Sequence, residues 1–274
     1  MLLEFKEIII IDDYDFFSTG VKTAVDEWLR NKNNEFEKFV NRILDLSGEI
    51  ALNNFRKIRN LTLKGDLSPV TKADEEIENF IRGKIFEKYP SHKIIGEELD
   101  DFEGSENITW YIDPIDGTTN FLHGIPHFAI SIALQKNDEI ISGLIFDPIK
   151  NEIFYGEKNS GSYFNNNRIR VSNKSNIEEC LFASNNEGVK SIYPRLNLRN
   201  TGCAALDLAY VGCGRFDGYF HNNINLWDIA AGLILVKEAG GMTNEIDLKN
   251  HNEIKIIASS PNINEKLMDI ISNF

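Results

Sequence analysis

The sequence predicts a mixed fold, α/β or α+β, because helical and strand patterns alternate along the chain. Apolar residues recur at helical spacing in two early segments, residues 35–57 and 74–89. Three alternating, β-branched segments then follow one another at residues 128–134, 139–146 and 152–156, as in antiparallel strands. The 274 residues, 42% of them hydrophobic, can bury one large core or two closely packed halves.

The second part of the chain continues this alternation. Its predicted elements are a hairpin with an asparagine turn (162–169), a short apolar helix that ends at Gly212 (204–211), a strand (254–258) and a last helix (264–271). No proline- or serine-rich linker divides the chain, and we place the join between its two halves near residue 147.

The acidic corner at residues 113–119 (DPIDGTT) carries the strongest functional signal. Residues 107–112 have the composition of a strand, and Pro114 predicts that this strand ends at Asp113. Gly117 allows the backbone to approach a ligand, so that free amides can face an anion. Oxygen ligands without histidine or cysteine favour Mg²⁺ over zinc. The alternative is a plain surface turn, since Asp-Pro and Asp-Gly pairs are common in turns.

Two further segments add acidic residues. Residues 94–98 (IIGEE) form a short apolar run that reaches Glu97, although a solvated acidic turn is the better explanation of this segment when it is taken alone. Residues 227–239 have helical spacing, and Gly240 is a plausible C-cap. Asp228 falls in the first turn, where amide dipoles favour an ionised carboxylate, or it serves only as an N-cap.

In order along the chain, these motifs resemble those of the inositol monophosphatase family. A fourth segment, residues 64–74 (KGDLSPVTKAD), is similar to the family's lysine-bearing hairpin, and residues 118–121 (TTNF) resemble its inositol-phosphatase branch. The resemblance implies the layered α-β-α-β-α sandwich that this family shares with fructose-1,6-bisphosphatases. It also implies one catalytic domain at residues 35–274, and residues 1–34 are an extension of unknown role.

The resemblance implies roles for individual residues. The ligands of two or three Mg²⁺ ions would be Glu97, Asp113, the Ile115 carbonyl, Asp116 and Asp228. Glu97, Thr118 and Asp116 would be catalytic, with Glu97 and Thr118 orienting and deprotonating the attacking water. The substrate-binding residues would be Gly117, Thr118, Gly202, Cys203, Ala204, His221 and Asp228, supported by Lys64.

The expected function is Mg²⁺-dependent, lithium-sensitive hydrolysis of a small phosphorylated polyol or sugar, above all inositol monophosphate. Water activated at the metal would attack without a covalent phosphoryl-enzyme. His221 stands where the family usually has a glutamate that binds sugar hydroxyls, and Cys203 where threonine or serine is usual. These departures keep fructose 1,6-bisphosphate, NADP and histidinol phosphate open as substrates. A different alternative is a non-catalytic protein-binding factor that assists the transcription machinery.

Other candidate sites are weaker. Residues 8–15 (IIIIDDYD) resemble the strand and Asp-x-Asp of phosphatases that form an aspartyl-phosphate, but Phe17 occupies the position where those enzymes have threonine or valine. We therefore interpret this segment as part of a structural or poorly ordered N-terminal extension. His123 and His127 follow the acidic corner, and we interpret them as helix-end or core residues rather than metal ligands.

Composition restricts the partners. The net charge of −13 disfavours a nonspecific nucleic-acid binder, which needs a basic surface. Three cysteines without close pairing (Cys180, Cys203 and Cys213) are typical of reduced cytoplasmic thiols. No run has the length of a membrane span, and the start lacks the pattern of a signal peptide. The family resemblance implies a homodimer.

Overall fold

The computed structural model describes residues 35–57, 62–63, 69–185, 188–189 and 193–272. Within these ranges the helices are α1 (Glu35–Asn54), α2 (Lys72–Lys88), α3 (Thr118–Leu122), α4 (Ala204–Gly212), α5 (Leu226–Glu238) and α6 (Pro261–Ile271). The strands are β1 (Thr62–Leu63), β2 (Pro69–Val70), β3 (Lys93–Gly96), β4 (Ile108–Asp116), β5 (Ala129–Lys136), β6 (Glu139–Asp147), β7 (Glu152–Glu157), β8 (Gly161–Phe164), β9 (Asn167–Arg168), β10 (Leu181–Ser184), β11 (Asn197–Arg199), β12 (Gly218–Ile224), β13 (Met242–Thr243) and β14 (Ile254–Ser259). The N-terminal residues 1–34 and Lys64 lie outside the described residues.

The helices and the two large sheets form five layers. One sheet runs in the order β3-β4-β5-β6-β7-β8-β9, and the other in the order β11-β10-β12-β14-β13. Helices α1 and α2 cover the outer face of the first sheet, α4 and α5 lie between the sheets, and α6 covers the outer face of the second. This arrangement confirms the predicted α-β-α-β-α sandwich.

Alternation along the strands separates the cores of these layers. On β4, Trp110 and Ile112 belong to the core beneath α1 and α2, whereas Tyr111 points into the core around α4 and α5. On β12, Tyr219 faces that same central core and Phe220 faces α6. Successive side chains of a strand point to opposite faces, so each sheet is buried on both sides.

The helices and strands that the sequence predicts are present, and their first and last residues lie within three positions of the predicted ones. The hairpin at residues 162–169 is also confirmed. It is formed by β8 and β9, and its turn contains Asn165 at a φ of 51°. Gly240 adopts a φ of 86° just after α5, as expected for a residue that ends a helix.

The prediction that the strand ends at Asp113 is wrong, because β4 continues through Pro114 to Asp116. Pairing with β5 changes register here: Asp113 lies opposite Ser131, and Asp116 lies opposite Ala129. Three steps along β4 therefore match two steps along β5, as in a β-bulge. The bulge leaves Pro114, which has no N–H to donate, outside the regular ladder.

Four strands of the second sheet, β10 to β13, are absent from the sequence-based prediction. Strand β10 pairs in parallel with both β11 and β12. These strands are short or irregular, and β12 shifts register against β14 between His221 and Ile224. Such segments carry little period-two signal, although β12 contributes side chains to the site described below.

Two global expectations concern membranes and thiols. Among the described residues, none of the helices is both long and apolar enough to cross a membrane. Cys180, Cys203 and Cys213 are all unpaired thiols, as expected.

Candidate active site

Parallel pairing of β3 and β4 brings two predicted acidic residues together. Gly96 lies opposite Ile112, so Glu97 and Asp113 follow at the same edge of the sheet. The Glu97 N–H donates to the Ile112 carbonyl oxygen at 3.2 Å, which extends the pairing to the start of the turn. Glu97 directly follows β3 and Asp113 lies within β4, so the two residues are neighbours on adjacent strands.

Helix α5 supplies the third acidic residue. It lies between the sheets and begins with a capping box, in which Asp228 Oδ2 accepts a hydrogen bond from the Asn225 N–H at 3.0 Å. One carboxylate oxygen from each of Glu97, Asp113 and Asp228 lies within 4.8 Å of the other two. Two residues of neighbouring strands in the first sheet and one residue of α5, more than 100 positions later in the chain, thus form one acidic cluster.

Asp113 is the buried member of this acidic cluster. Its side chain is buried, and neither carboxylate oxygen has a hydrogen-bond partner among the described residues. Burial raises the pKa of Asp113 well above its ordinary value, and the charges of Glu97, Asp116 and Asp228 raise it further. A divalent cation would relieve both the desolvation and the repulsion, and carboxylates are ligands that hard cations prefer. The donor set therefore fits Mg²⁺.

Asp116 lines the same space but is held by the first turn of α4. Its Oδ2 accepts hydrogen bonds from the Ala205 N–H at 2.5 Å and from the Cys203 thiol at 3.1 Å. Burial raises the pKa of Asp116 to about 6, against the lowering effect of these donors. Asp116 thus connects the β4 corner to α4.

Thr118 contacts a carboxylate that the sequence-based assignment of the site omits. Its hydroxyl lies 3.3 Å from Asp74 Oδ1 and 3.0 Å from the Ile115 carbonyl oxygen, and can donate to either. Asp74 is fully buried at the start of α2, where its Oδ2 accepts from the Thr71 N–H at 2.9 Å. Burial, the largest effect, raises the pKa of Asp74 to about 6. The Thr71-x-x-Asp74 capping box is the sequence signal for this residue, but it indicates only a helix start.

The predicted phosphate-binding backbone segments lie against each other. Gly117 has a φ of 91°, and a Cβ there would lie 3.0 Å from the Gly202 carbonyl oxygen. Asn120 joins the two segments, because its Nδ2 donates to the Thr201 and His127 carbonyl oxygens at 2.8 Å each. Only glycine combines this φ with so close an approach, so Gly117 keeps the corner and the 202–204 turn together.

These residues surround a cavity of about 260 Å³. Every predicted site residue lines it except Lys64, which lies outside the described residues. The residues of the lining that were not predicted are Ser184, Asn185, Asn200, Asp207, Tyr219, Asn223, Ile224 and Asn225. Their amides and hydroxyls come largely from the second sheet and the loops around it.

The histidines differ in their relation to the cavity. His221 lines it, with a buried Nδ1 that has no hydrogen-bond partner among the described residues, and burial lowers its pKa to about 4. His123 and His127 are not part of the lining. His123 is exposed and contacts the Thr119 carbonyl oxygen, whereas the His127 ring packs edge-on against Tyr210.

Comparison with known proteins agrees with this fold. The model of the inositol monophosphatase family, whose members are generally metal dependent, matches residues 32–273. The chain is 37% identical over 241 residues to the fructose-1,6-bisphosphatase/inositol-1-monophosphatase of Thermotoga maritima, covering 84% of this chain and 93% of that protein. It is 34% identical over 248 residues to the Nus factor SuhB of Xylella fastidiosa, covering 82% and 90% respectively.

A solved structure extends the similarity to three dimensions. The extragenic suppressor protein suhB from Bartonella henselae matches with a TM-score of 0.79 and 35% sequence identity, over 87% of this chain and 98% of that chain. Since both the family model and these relatives span most of the chain, the protein belongs to the inositol monophosphatase family and is a phosphatase of phosphate monoesters.

Proposed function

We propose that the protein is a Mg²⁺-dependent inositol monophosphatase. The observation that carries the proposal is the buried Asp113, whose two oxygens lack partners beside Glu97 and Asp228. A buried cluster of carboxylates is strongly unfavourable unless a cation neutralises their negative charges. A cation bound here lies in the cavity where a phosphate ester would have to react.

Oxygen donors from both halves of the chain would hold two or three ions. The proposed ligands are Glu97, Asp113, the Ile115 carbonyl, Asp116 and Asp228. When bound, Mg²⁺ supplies charge neutralisation for the phosphate and lowers the pKa of water for nucleophilic attack. Unassisted phosphate monoester hydrolysis is extremely slow, so this contribution is large.

The chain's own residues then orient the reactants. Asp74, with its raised pKa, accepts a proton through the Thr118 hydroxyl, and Glu97 helps to position the attacking water. The backbone of Gly117 and Thr118 faces the phosphate, together with the 202–204 turn. No side chain is required to carry the phosphoryl group. Mass spectrometry should therefore find no phosphorylated aspartate after turnover.

The lining of the cavity favours a neutral leaving group. Away from the acidic cluster, the described lining residues are mainly amides, hydroxyls and the His221 imidazole, and none of them is lysine or arginine. A second phosphate, as in fructose 1,6-bisphosphate or NADP, needs cationic donors. The lining also contains the carboxyl group of Asp207, which accepts a hydrogen bond from the Thr201 hydroxyl at 2.7 Å. Hydroxyls of a polyol match this lining best.

Phosphate release over a substrate panel tests the proposal. Purified protein is given inositol 1-phosphate, fructose 1,6-bisphosphate, NADP or histidinol phosphate, with Mg²⁺ present, with Mg²⁺ removed by EDTA, or with lithium added. We expect the highest kcat/KM with inositol 1-phosphate, no turnover in EDTA and inhibition by lithium. Preference for another substrate would overturn the inositol assignment, and turnover in EDTA would overturn the metal assignment.

A second candidate function is suggested by the relative that is named a Nus factor. We infer that a protein partner of the transcription machinery is compatible with retained catalysis, since catalysis needs only the cavity. An affinity-tagged Asp116→Asn variant tests this. Co-purification of RNA polymerase or its elongation factors with both variant and wild type would support a separate binding role, and recovery of the tagged protein alone would argue against it.

For domain organisation, we propose that residues 35–274 are the catalytic domain, with two halves joined near residue 147, and that residues 1–34 are an extension. The family match, which begins at residue 32, supports this boundary. We also propose a homodimer in the cytoplasm. Light scattering coupled to size-exclusion chromatography tests the dimer, for which a mass of about twice 31.2 kDa is expected.

A further inference from the structure

Two aromatic side chains of β12 project into the cavity from the same face of the strand. Tyr219 and His221 are two residues apart, and their ring centroids lie 6.2 Å from each other. Both line the cavity, whereas Phe220 between them packs towards α6. Strand geometry therefore places these two rings side by side at the end of the cavity formed by the second sheet.

Both rings present an unsatisfied polar atom. The Tyr219 hydroxyl and His221 Nδ1 are buried, and neither has a hydrogen-bond partner among the described residues. Tyr219 is only 1% exposed. Buried polar groups are rarely left without partners, so two in one cavity mark a place where a ligand completes the hydrogen bonding.

The two groups have complementary hydrogen-bonding roles. Burial, followed by the charges of Asp207, Asp116 and Asp228, raises the pKa of Tyr219 well above its ordinary value, so the phenol keeps its proton and donates. Burial lowers the pKa of His221 to about 4, so the imidazole is neutral and one ring nitrogen accepts. Among the described residues that line the cavity, none is a lysine or arginine that would attract an anion to these rings.

We propose that Tyr219 and His221 together bind one hydroxyl group of the leaving polyol. The Tyr219 hydroxyl donates to the oxygen of this group, which in turn donates its hydrogen to His221 Nδ1. A hydroxyl is both acceptor and donor, so it satisfies both buried atoms at once. The inference rests on the proposed function and assigns Tyr219 as a substrate-binding residue.

Paired substrates give the sharpest test. Inositol 1-phosphate and cyclohexyl phosphate share a six-membered ring, and only the first carries hydroxyls. We expect Tyr219→Phe to lower kcat/KM for inositol 1-phosphate about tenfold, the value of one hydrogen bond, mainly through KM. With cyclohexyl phosphate the change should be less than twofold, because that substrate never used the phenol. Tyr155→Phe is the matched control, since Tyr155 is equally buried but its hydroxyl donates to Glu157 at 2.8 Å, outside the cavity lining.

A double-mutant cycle tests whether both residues bind the same group. His221→Ala should also lower kcat/KM for inositol 1-phosphate, and in Tyr219→Phe/His221→Ala the loss should be smaller than the product of the two single losses. Thermal unfolding of each variant shows whether it is folded. If Tyr219→Phe does not fold, the losses of kcat/KM for inositol 1-phosphate and cyclohexyl phosphate are compared in His221→Ala instead.

Three outcomes would overturn the inference. Equal losses on both substrates would mean that Tyr219 acts on the acidic cluster instead of on a hydroxyl. No loss on either substrate would mean that a water molecule satisfies the phenol. Fully independent effects in the double-mutant cycle would place the two side chains on different groups. Wild-type protein that hydrolyses neither substrate would instead refute the proposed function, and the inference with it.

Discussion

The hydroxyl of Thr118 lies 3.3 Å from Asp74 Oδ1, although the two residues are 44 positions apart in the chain. Thr118 begins the short helix α3 after the acidic corner, and Asp74 belongs to the first turn of α2. The contact therefore connects the outer helical layer to the acidic corner of the first sheet. It positions a buried carboxyl group with a raised pKa beside the proposed catalytic threonine.

Replacing Asp74 should impair catalysis more than stability. We expect Asp74→Asn to lower kcat by about 100- to 10,000-fold, the usual contribution of a general base. The change also weakens the capping box of α2, which should lower the free energy of unfolding by about 1 kcal/mol. Glu75→Gln, at the exposed neighbouring position of the same helix, is the control and should leave both quantities unchanged. A kcat for Asp74→Asn within threefold of wild type would remove Asp74 from the mechanism.

Asp113→Asn should abolish the thermal response to Mg²⁺. Wild-type protein should gain about 2.7 kcal/mol when Mg²⁺ is present at 100 times its Kd, which a rise in Tm reports. The variant should lose this rise, yet be more stable than metal-free wild type at pH 7, because one of the repelling carboxylates is gone. Exposed Asp138→Asn is the control. An unchanged Mg²⁺ response in Asp113→Asn would place the ion elsewhere.

The stabilisation by Mg²⁺ should grow as pH rises from about 4 to 7. Burial raises the pKa of Asp116 to about 6, and also raises those of Asp113 and Asp228. Because an unfolded aspartate titrates near 3.9, the folded metal-free protein holds extra protons above that pH and loses stability as pH rises through the folded pKa values. Mg²⁺ replaces those protons and removes the penalty, so its effect is small at low pH.

Scanning calorimetry with and without Mg²⁺ at each pH measures this difference directly. The half-buried His127 and His221 have pKa values lowered to about 4 by desolvation, and their ionisation opposes the trend in the absolute stability. The histidines contribute equally to the stability of the metal-free and the metal-bound protein. Their contribution therefore cancels in the difference between the two Tm values. A Tm shift that does not depend on pH would show that protons and Mg²⁺ do not compete for these carboxylates.

Asn120 should be important for joining the halves of the site. Asn120→Ala removes the donors to the Thr201 and His127 carbonyl oxygens, and we expect a loss of about 1–3 kcal/mol in the free energy of unfolding. The 202–204 turn should also become less well positioned, so KM should rise. Thr119→Ala, at the exposed preceding residue, is the control for urea unfolding and kinetics. Wild-type stability in Asn120→Ala would mean that packing alone holds the two segments together.

Local signals made much of this site predictable. The acidic corner, the helix with Asp228 in its first turn and the antiparallel strands each depend on neighbours in sequence, and the structure contains all three, although the N-cap is Asn225 and not Asp228. Asp74 was missed because its local role, capping α2, fully explains its place in the sequence. Only the packing of α2 on the first sheet brings it to Thr118.

The remaining differences also have physical causes. Pro114 predicts a strand end by its missing N–H, but a β-bulge in the ladder with β5 tolerates it. Tyr219 looks like an ordinary core residue of a short strand. The surroundings of its hydroxyl are formed by α4 and the acidic cluster, which are distant in sequence. The sequence around Tyr219 therefore does not show that this hydroxyl has no hydrogen-bond partner among the described residues.

Glu97, Asp113 and Asp228 are the residues that we propose as ligands of the catalytic ion. The most direct measurement is a crystal structure of Mn²⁺-soaked protein, with the ion located by anomalous scattering. We expect a peak at about 2.0–2.6 Å from an oxygen of each of the three carboxylates, the range for hard cations. A structure with no peak in this cavity, from protein that still hydrolyses inositol 1-phosphate in EDTA, would contradict it.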